Sequence, residues 1–218
     1  MVQTLIKNKK LKKRIITISY KYNLSHIGSC LTAVDIIDEI YKVKKPSERF
    51  VLSSGHAGLA LYVVLEKYEG INAEKVFKHH GVHPNRCEKC YIDCSTGSLG
   101  LGLSIAVGMA LADRSKQVYC LISDGETAEG SIWEAIRIYY DQNIKPRNLS
   151  IYINWNWWTA YGRPSSFTWD MLHSYWNHIS VRETNMNDFK EIKELQDQSA
   201  HYHVLNEENY KLAMKILK

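Results

Sequence analysis

The chain lacks the long apolar run that a membrane span requires. No stretch of its 218 residues approaches the ~20 consecutive apolar positions that cross a bilayer. It lacks a secretory leader pattern too, because the first residues carry Lys7, Lys9, Lys10, Lys12, Lys13 and Arg14, and a cytoplasmic protein is expected. The cysteines are few and odd in number, five, which fits reduced thiols better than a disulfide scaffold. No low-complexity linker and no internal repeat divides the sequence, so residues 1–218 read as one domain. The charge is not extreme either, at a formal +5, and much of it sits in the early basic stretch. Leu5, Leu11, Ile15, Ile16 and Ile18 give that stretch an apolar face, so it reads as a solvated amphipathic helix and not as a nucleic-acid contact. What is present is ordinary for a globular domain: 45% hydrophobic and 23% charged residues, in a chain long enough to bury a real core.

Along the chain, helical and strand-like segments alternate. Ser25 is expected to cap a helix through Leu31, Val34, Ile36, Ile37 and Ile40 that ends before Pro46. Phe50-Val51-Leu52 is a short buried strand, followed by the small-residue turn Ser53-Ser54-Gly55-His56-Ala57-Gly58 and a helix over 59–68. Such a strand–turn–helix unit points backbone N–H groups at a ligand. Residues 79–98 read as a long turn region. The run 99–112 is apolar nearly all round, which predicts a buried helix, with glycines suited to close helix approach or a subunit interface. A strand at 118–122, a helix at 130–142 and a strand at 149–153 form a βαβ unit. Residues 155–178 look irregular and aromatic. A last strand is expected at 178–181 and a helix at 207–217. The pattern is α/β, with a mainly parallel sheet flanked by helices.

Ligands in such sheets bind at the carboxyl ends of the strands. Asp124 follows one strand and Asn156 follows the next. A carboxylate oxygen and an amide oxygen there suit a divalent metal that shares its shell with phosphate oxygens. Gly125 lets the backbone approach a phosphate, and the helix start behind it favours an anion. Alone, an Asp-Gly after a strand is also consistent with a tight turn.

The surrounding blocks make the pattern specific. Ser123-Asp124-Gly125-Glu126, with Glu129-Gly130-Ser131-Ile132-Trp133-Glu134-Ala135, then Asn156 and Gly162, resembles the thiamine-diphosphate motif of transketolases. Ser25-His26-Ile27-Gly28 resembles that family's first histidine block, and Arg49–Ala57 its second. His83-Pro84 and Ser95-Thr96-Gly97-Ser98-Leu99-Gly100 resemble its third. The resemblance runs from about residue 10 to 162 and implies a thiamine-diphosphate-binding fold. It implies Mg2+ (or Ca2+) on Asp124, Asn156 and the carbonyl of Trp158, with Gly125 against the diphosphate. It further implies that His26, His56 and His83 line the diphosphate and substrate channel. Gly97, Ser98 and Leu99 would lie beside the aminopyrimidine, and Glu129 would link the two sites of a dimer. His201 matches a later substrate-side histidine, with His203 as a rival. The implied activity is transfer of a two-carbon ketol group between sugars or sugar phosphates.

Several departures from the family pattern stand out. The length has no room for the pyrimidine domain with its activating glutamate. A separate C-terminal subunit is therefore expected, in a two-plus-two heterotetramer, with neither membrane nor nucleic acid as partner. Leu101 stands where the family commonly has Gln or His, and Ser123 where it has glycine. Trp155, Trp157 and Trp158 crowd the metal loop, where they are expected to wall the thiazolium pocket or a subunit interface. Cys87-x-x-Cys90 suggests Zn2+, with Cys94 and one histidine as further ligands. Buried free thiols are the preferred alternative, because only one CxxC is present and His83 has another role. Two other functions stay open: a pyruvate-decarboxylating sugar-phosphate synthase subunit, and a non-catalytic binding subunit of the same fold.

Overall fold

The computed structural model describes residues 6–141, 143–174 and 179–218. In chain order the elements are α1 (Lys9–Lys21), α2 (Ile27–Val43), β1 (Arg49–Leu52), α3 (Gly58–Glu69), α4 (Ala73–His80), α5 (Leu101–Ala112), β2 (Val118–Ser123), α6 (Gly130–Tyr140), β3 (Leu149–Trp155), α7 (Ser166–Ser174), β4 (Ile179–Glu183) and α8 (Glu207–Ile216). The four strands form one parallel sheet in the order β1-β2-β3-β4.

Period-two alternation divides the sheet between two cores. Phe50, Leu52 and Leu121 face a layer built from α1, α2 and α3. Val51, Val118, Cys120, Ile122, Ile151 and Ile153 face α5 and α6. The near-continuous apolar runs of β1, β2 and β3 are what a parallel sheet covered on both faces demands. Because all four strands run the same way, Ser53, Asp124 and Asn156 emerge at one end of the sheet.

The basic N-terminal stretch forms the expected amphipathic helix. Leu11, Ile15, Ile16 and Ile18 are buried, while Leu5 lies outside the described residues. Two of the cations in this stretch make ion pairs within the fold. Lys12 pairs with Asp35 and Asp188 at 3.0 and 3.2 Å, and Arg14 pairs with Glu66 at 2.8 Å.

Several boundaries differ from expectation. Ser25 does not cap α2. The residue before Ile27 is His26, in the left-handed region at φ 58°, ψ 25°, with no side-chain cap bond. The 99–112 helix starts at Leu101 and is not buried all round. Leu101, Ser104, Ile105 and Gly108 form an exposed stripe, with Leu101 50% and Ile105 39% exposed. Residues 155–178 are not wholly irregular, because α7 lies within them. The supposed turn region from 79 overlaps the end of α4, whose start is capped by Asn72 accepting from the amide of Lys75 at 2.9 Å. The last strand runs two residues beyond expectation, to Glu183. Its expected first residue, His178, and Gln142 at the expected end of α6 lie outside the described residues. Among the described residues, no helix is long and apolar enough to cross a membrane.

Candidate functional site

Asp124 is the centre of the strand-end cluster. Its side chain is 1% exposed. Oδ1 accepts from the amide of Gly125 at 2.9 Å, and Oδ2 accepts from the amides of Asn156 and Trp157 at 2.9 and 2.8 Å. The carboxylate therefore holds the β2 end to the β3 end through the Asn156 and Trp157 amides. Burial pushes its pKa up from 3.8 to about 7, against the pull of those three amides. Among the described residues, no cationic side chain offsets that burial.

The loop after β3 supplies two further oxygens. Asn156 Oδ1 accepts from the amide of Trp158 at 2.9 Å. The carbonyl of Trp158 lies 3.0 Å from Nε2 of His201. Trp157 between them takes φ 68°, the backward bend that turns the loop. A carboxylate, an amide oxygen and a carbonyl oxygen are the hard donor set that magnesium or calcium takes. The carboxylate and the carbonyl each keep lone-pair capacity beyond the bonds just described. A buried acid without a cation beside two oxygen donors fits a divalent ion, which would supply the missing positive charge.

Three histidines stand over this loop. The ring of His26 is 5.3 Å from that of His56 and 6.1 Å from that of His201, and His56 is 6.2 Å from His201. The amide of His26 donates to the carbonyl of His201 at 3.0 Å, which fixes the start of α2 against the segment 198–201. That approach is close: a Cβ on Gly28 would sit 2.8 Å from Cβ of Ala200. Burial, then the neighbouring rings of His26, His201 and His83, hold the His56 imidazole down to about 3. Burial and the same kind of neighbours lower His26 as well. These rings are therefore neutral donors and acceptors near pH 7. Nδ1 of His26 is buried and has no partner among the described residues, an atom left free for a ligand.

The remaining expected residues spread around this centre. His83 is exposed on the rim, near enough to His26 and His56 to lower both. It packs beside Gly97, where an added Cβ would meet the His83 ring at 3.2 Å. Gly97 and Ser98, with Leu101, Gly102 and Ile105, line a shallow cavity of about 200 Å3. Leu99 is half-buried next to them. Gly55 is required where this loop passes the β1 turn, since a Cβ there would fall 2.7 Å from the Thr96 carbonyl. Glu129 is exposed at the start of α6, beside Gly100. His203 leaves the cluster and meets Nδ2 of Asn209 at 3.0 Å, so His201 is the one that joins the site.

The tryptophans divide. Trp155 is fully buried and packs on Trp169 at 4.9 Å within the sheet core. Trp157 and Trp158 do line a cavity of about 200 Å3, with Asn156, His201, Gly28 and Arg163. The Arg163 guanidinium lies 4.4 Å from the Trp158 ring centre, a cation–π pair at the cavity edge. Nothing in the sequence pattern had pointed to Arg163.

Glu126 was also missed, although it stands in the same four-residue block as Asp124. It is fully buried. Oε1 accepts from Ser53 Oγ at 2.5 Å and from the amide of Gly100 at 3.0 Å, and Oε2 accepts from Ser123 amide and hydroxyl at 2.9 and 3.3 Å. One carboxylate thus ties together the ends of β1 and β2 and the start of α5. Burial raises its pKa. Its only sequence signal was an acid in a strand-end turn with no cation nearby.

Comparison with known proteins agrees with the geometry. The family model described as "Transketolase, thiamine diphosphate binding domain" matches residues 17–197. A transketolase of Homo sapiens is 39% identical over 132 residues, covering 51% of this chain and 21% of that protein. A subunit of the apulose-4-phosphate transketolase of Phocaeicola vulgatus is 38% identical over 156 residues, covering 62% of this chain and 55% of that protein. The chain thus spans between about a fifth and about half of these relatives' lengths. Among solved structures, transketolase from Campylobacter jejuni superposes with a TM-score of 0.62 at 18% identity, over 97% of this chain and 47% of that one. Transketolase from Leishmania mexicana gives 0.61 at 15%, over 98% and 45%. At those identities the likeness is one of fold.

Proposed function

The chain belongs to the transketolase thiamine-diphosphate-binding domain family, and from that premise we propose that it holds the diphosphate end of thiamine diphosphate in an enzyme that transfers a two-carbon ketol group between sugars or sugar phosphates. The observation that carries the proposal is the buried Asp124 carboxylate, neutralised by no neighbour among the described residues, beside Asn156 Oδ1 and the Trp158 carbonyl at the strand ends. In this reading all of 1–218 acts as one diphosphate-binding domain.

Asp124, Asn156 and the Trp158 carbonyl would hold Mg2+ or Ca2+, and Gly125 would face the diphosphate. Bound thiamine diphosphate supplies an electron sink for breaking the C–C bond beside a ketose carbonyl. The chain's own part is positioning and proton handling. His26 and His56, held neutral by burial, would hydrogen-bond sugar hydroxyls and move protons together with the neighbouring His201, with His83 at the rim. His201 also steadies the Trp158 carbonyl, so one ring serves both the metal loop and the substrate side. Gly97, Ser98 and Leu99 would border the aminopyrimidine, and Glu129 would contact the neighbouring site.

A second polypeptide would supply the pyrimidine domain and its activating glutamate, in a two-plus-two assembly in the cytoplasm. Support comes from the Phocaeicola vulgatus relative, itself named as one subunit of a transketolase, and from the exposed Leu101–Ile105 stripe of α5, which offers an apolar surface. The test is ketol transfer from a ketose phosphate by the chain together with a pyrimidine-domain chain from the same genome. Activity is expected with both chains and none with Asp124→Ala. Equal activity of Asp124→Ala would refute the metal clamp, and pyruvate consumption in place of ketose cleavage would identify a synthase instead.

A further inference from the structure

Three side chains outside the strand-end site converge on one point. His80 closes α4, and Cys87 and Cys90 stand at the two ends of a short 3-10 turn, residues 88–90. One ligand atom from each lies within 4.8 Å of the other two. Nε2 of His80 is 3.3 Å from Sγ of Cys90. The backbone builds this convergence. Cys87 and Ile92 exchange both N–H···O bonds at 2.9 Å, and the Cys90 amide donates to the Cys87 carbonyl at 3.2 Å. Tyr91, at φ 57° and ψ 33°, turns the chain back between them. All three ligand residues are half-buried, so an ion can reach them without opening the core. Cys94 does not join them. It is buried against the sheet, and its thiol donates to the Ser95 carbonyl at 3.3 Å.

We propose that His80, Cys87 and Cys90 bind one zinc-class divalent cation, with water in the fourth position. Two sulfurs and one imidazole nitrogen suit zinc, in contrast to the all-oxygen set around Asp124. Each thiol gives up its proton as the metal–sulfur bond forms, so binding releases two protons to solvent while His80 contributes a neutral ring. His83 lies on the segment between His80 and Cys87, and the 95–98 loop follows directly. A bound ion would therefore staple the His83 segment to the end of α4, a positioning role with no part in the chemistry.

The test is metal analysis and Co2+ titration of the reduced full chain, with variants Cys87→Ser, Cys90→Ser, His80→Asn and Cys94→Ser. The wild type and Cys94→Ser are expected to take up one Zn2+ per chain and to show thiolate-to-cobalt charge transfer with tetrahedral d–d bands. The other three variants should lose at least ten-fold in affinity. Zinc at a hundred times its Kd should raise the wild-type Tm by about 5–10 °C. Cobalt bound without charge transfer would overturn the proposal, as would zinc uptake unchanged in Cys87→Ser. So would a reduced protein that takes up no zinc.

Discussion

Replacing Asp124 by Asn should make the metal-free protein respond less to alkaline pH while ending its response to magnesium and cofactor. Burial holds the Asp124 pKa at about 7 against an ordinary 3.8. That rise corresponds to about 4 kcal/mol of folding free energy given up once the group is ionised. The folded protein keeps an extra proton between pH 3.8 and 7, so the stability this proton brings is complete below pH 3.8 and is lost as pH rises through 7. Between pH 6 and pH 8 the loss amounts to about 1.4 kcal/mol. Asn at this position carries no charge, but its NH2 must face one of the three backbone donors, which costs about 1–3 kcal/mol at every pH. The assay is urea denaturation of both proteins in chelator at pH 6, 7 and 8. Wild-type stability relative to Asp124→Asn should fall by about 1.4 kcal/mol across that range. With Mg2+ and thiamine diphosphate the wild type should recover the loss, and the variant should gain nothing. A gap between the two that stays constant with pH would refute the reasoning that a buried, unneutralised carboxylate waits for a cation.

His56→Gln should shift the pH response the other way. The folded-state pKa is about 3 against 6.5, so the stability belonging to the neutral ring is present above pH 6.5 and is lost as pH falls toward 3. Wild type should lose about 2 kcal/mol relative to the variant between pH 8 and pH 5 in denaturant melts, and parallel profiles would show that the ring is freely hydrated. Glu126→Ala should destabilise by about 3–5 kcal/mol, because it strands the Ser53 hydroxyl and the Gly100 and Ser123 amides and leaves a void. A loss under about 1 kcal/mol would mean those donors find other partners.

Much of the scaffold was legible because its signals are local. Strand runs ending in small or polar residues placed Ser53, Asp124 and Asn156 at the carboxyl end of the sheet, and that end is where they lie. What was not legible depended on partners distant in sequence. Glu126 finds Ser53 seventy-three positions away, and no window around Glu126 contains that information. The choice between His201 and His203 turned on the phase of the 198–201 turn, which sets one ring over Trp158 and the other against Asn209. Cys94 shares a loop with Cys87 and Cys90, yet its side chain falls on the sheet side, and of the expected further partners only a histidine, His80 at the end of α4, stands beside the two thiols. The apolar run of α5 could not tell its buried face from its exposed one, because both are hydrophobic. The aromatic 155–178 stretch hid α7, whose start is marked by Ser165, its hydroxyl accepting from the Phe167 amide and its carbonyl from the Trp169 amide, both at 3.2 Å.

Calorimetric titration of thiamine diphosphate into the purified chain, with and without Mg2+, tests the central claim most directly. Binding that requires Mg2+ and disappears in Asp124→Ala is the predicted result. Binding that is indifferent to Mg2+ and to Asp124→Ala, or no binding at millimolar cofactor with Mg2+ present, would contradict it.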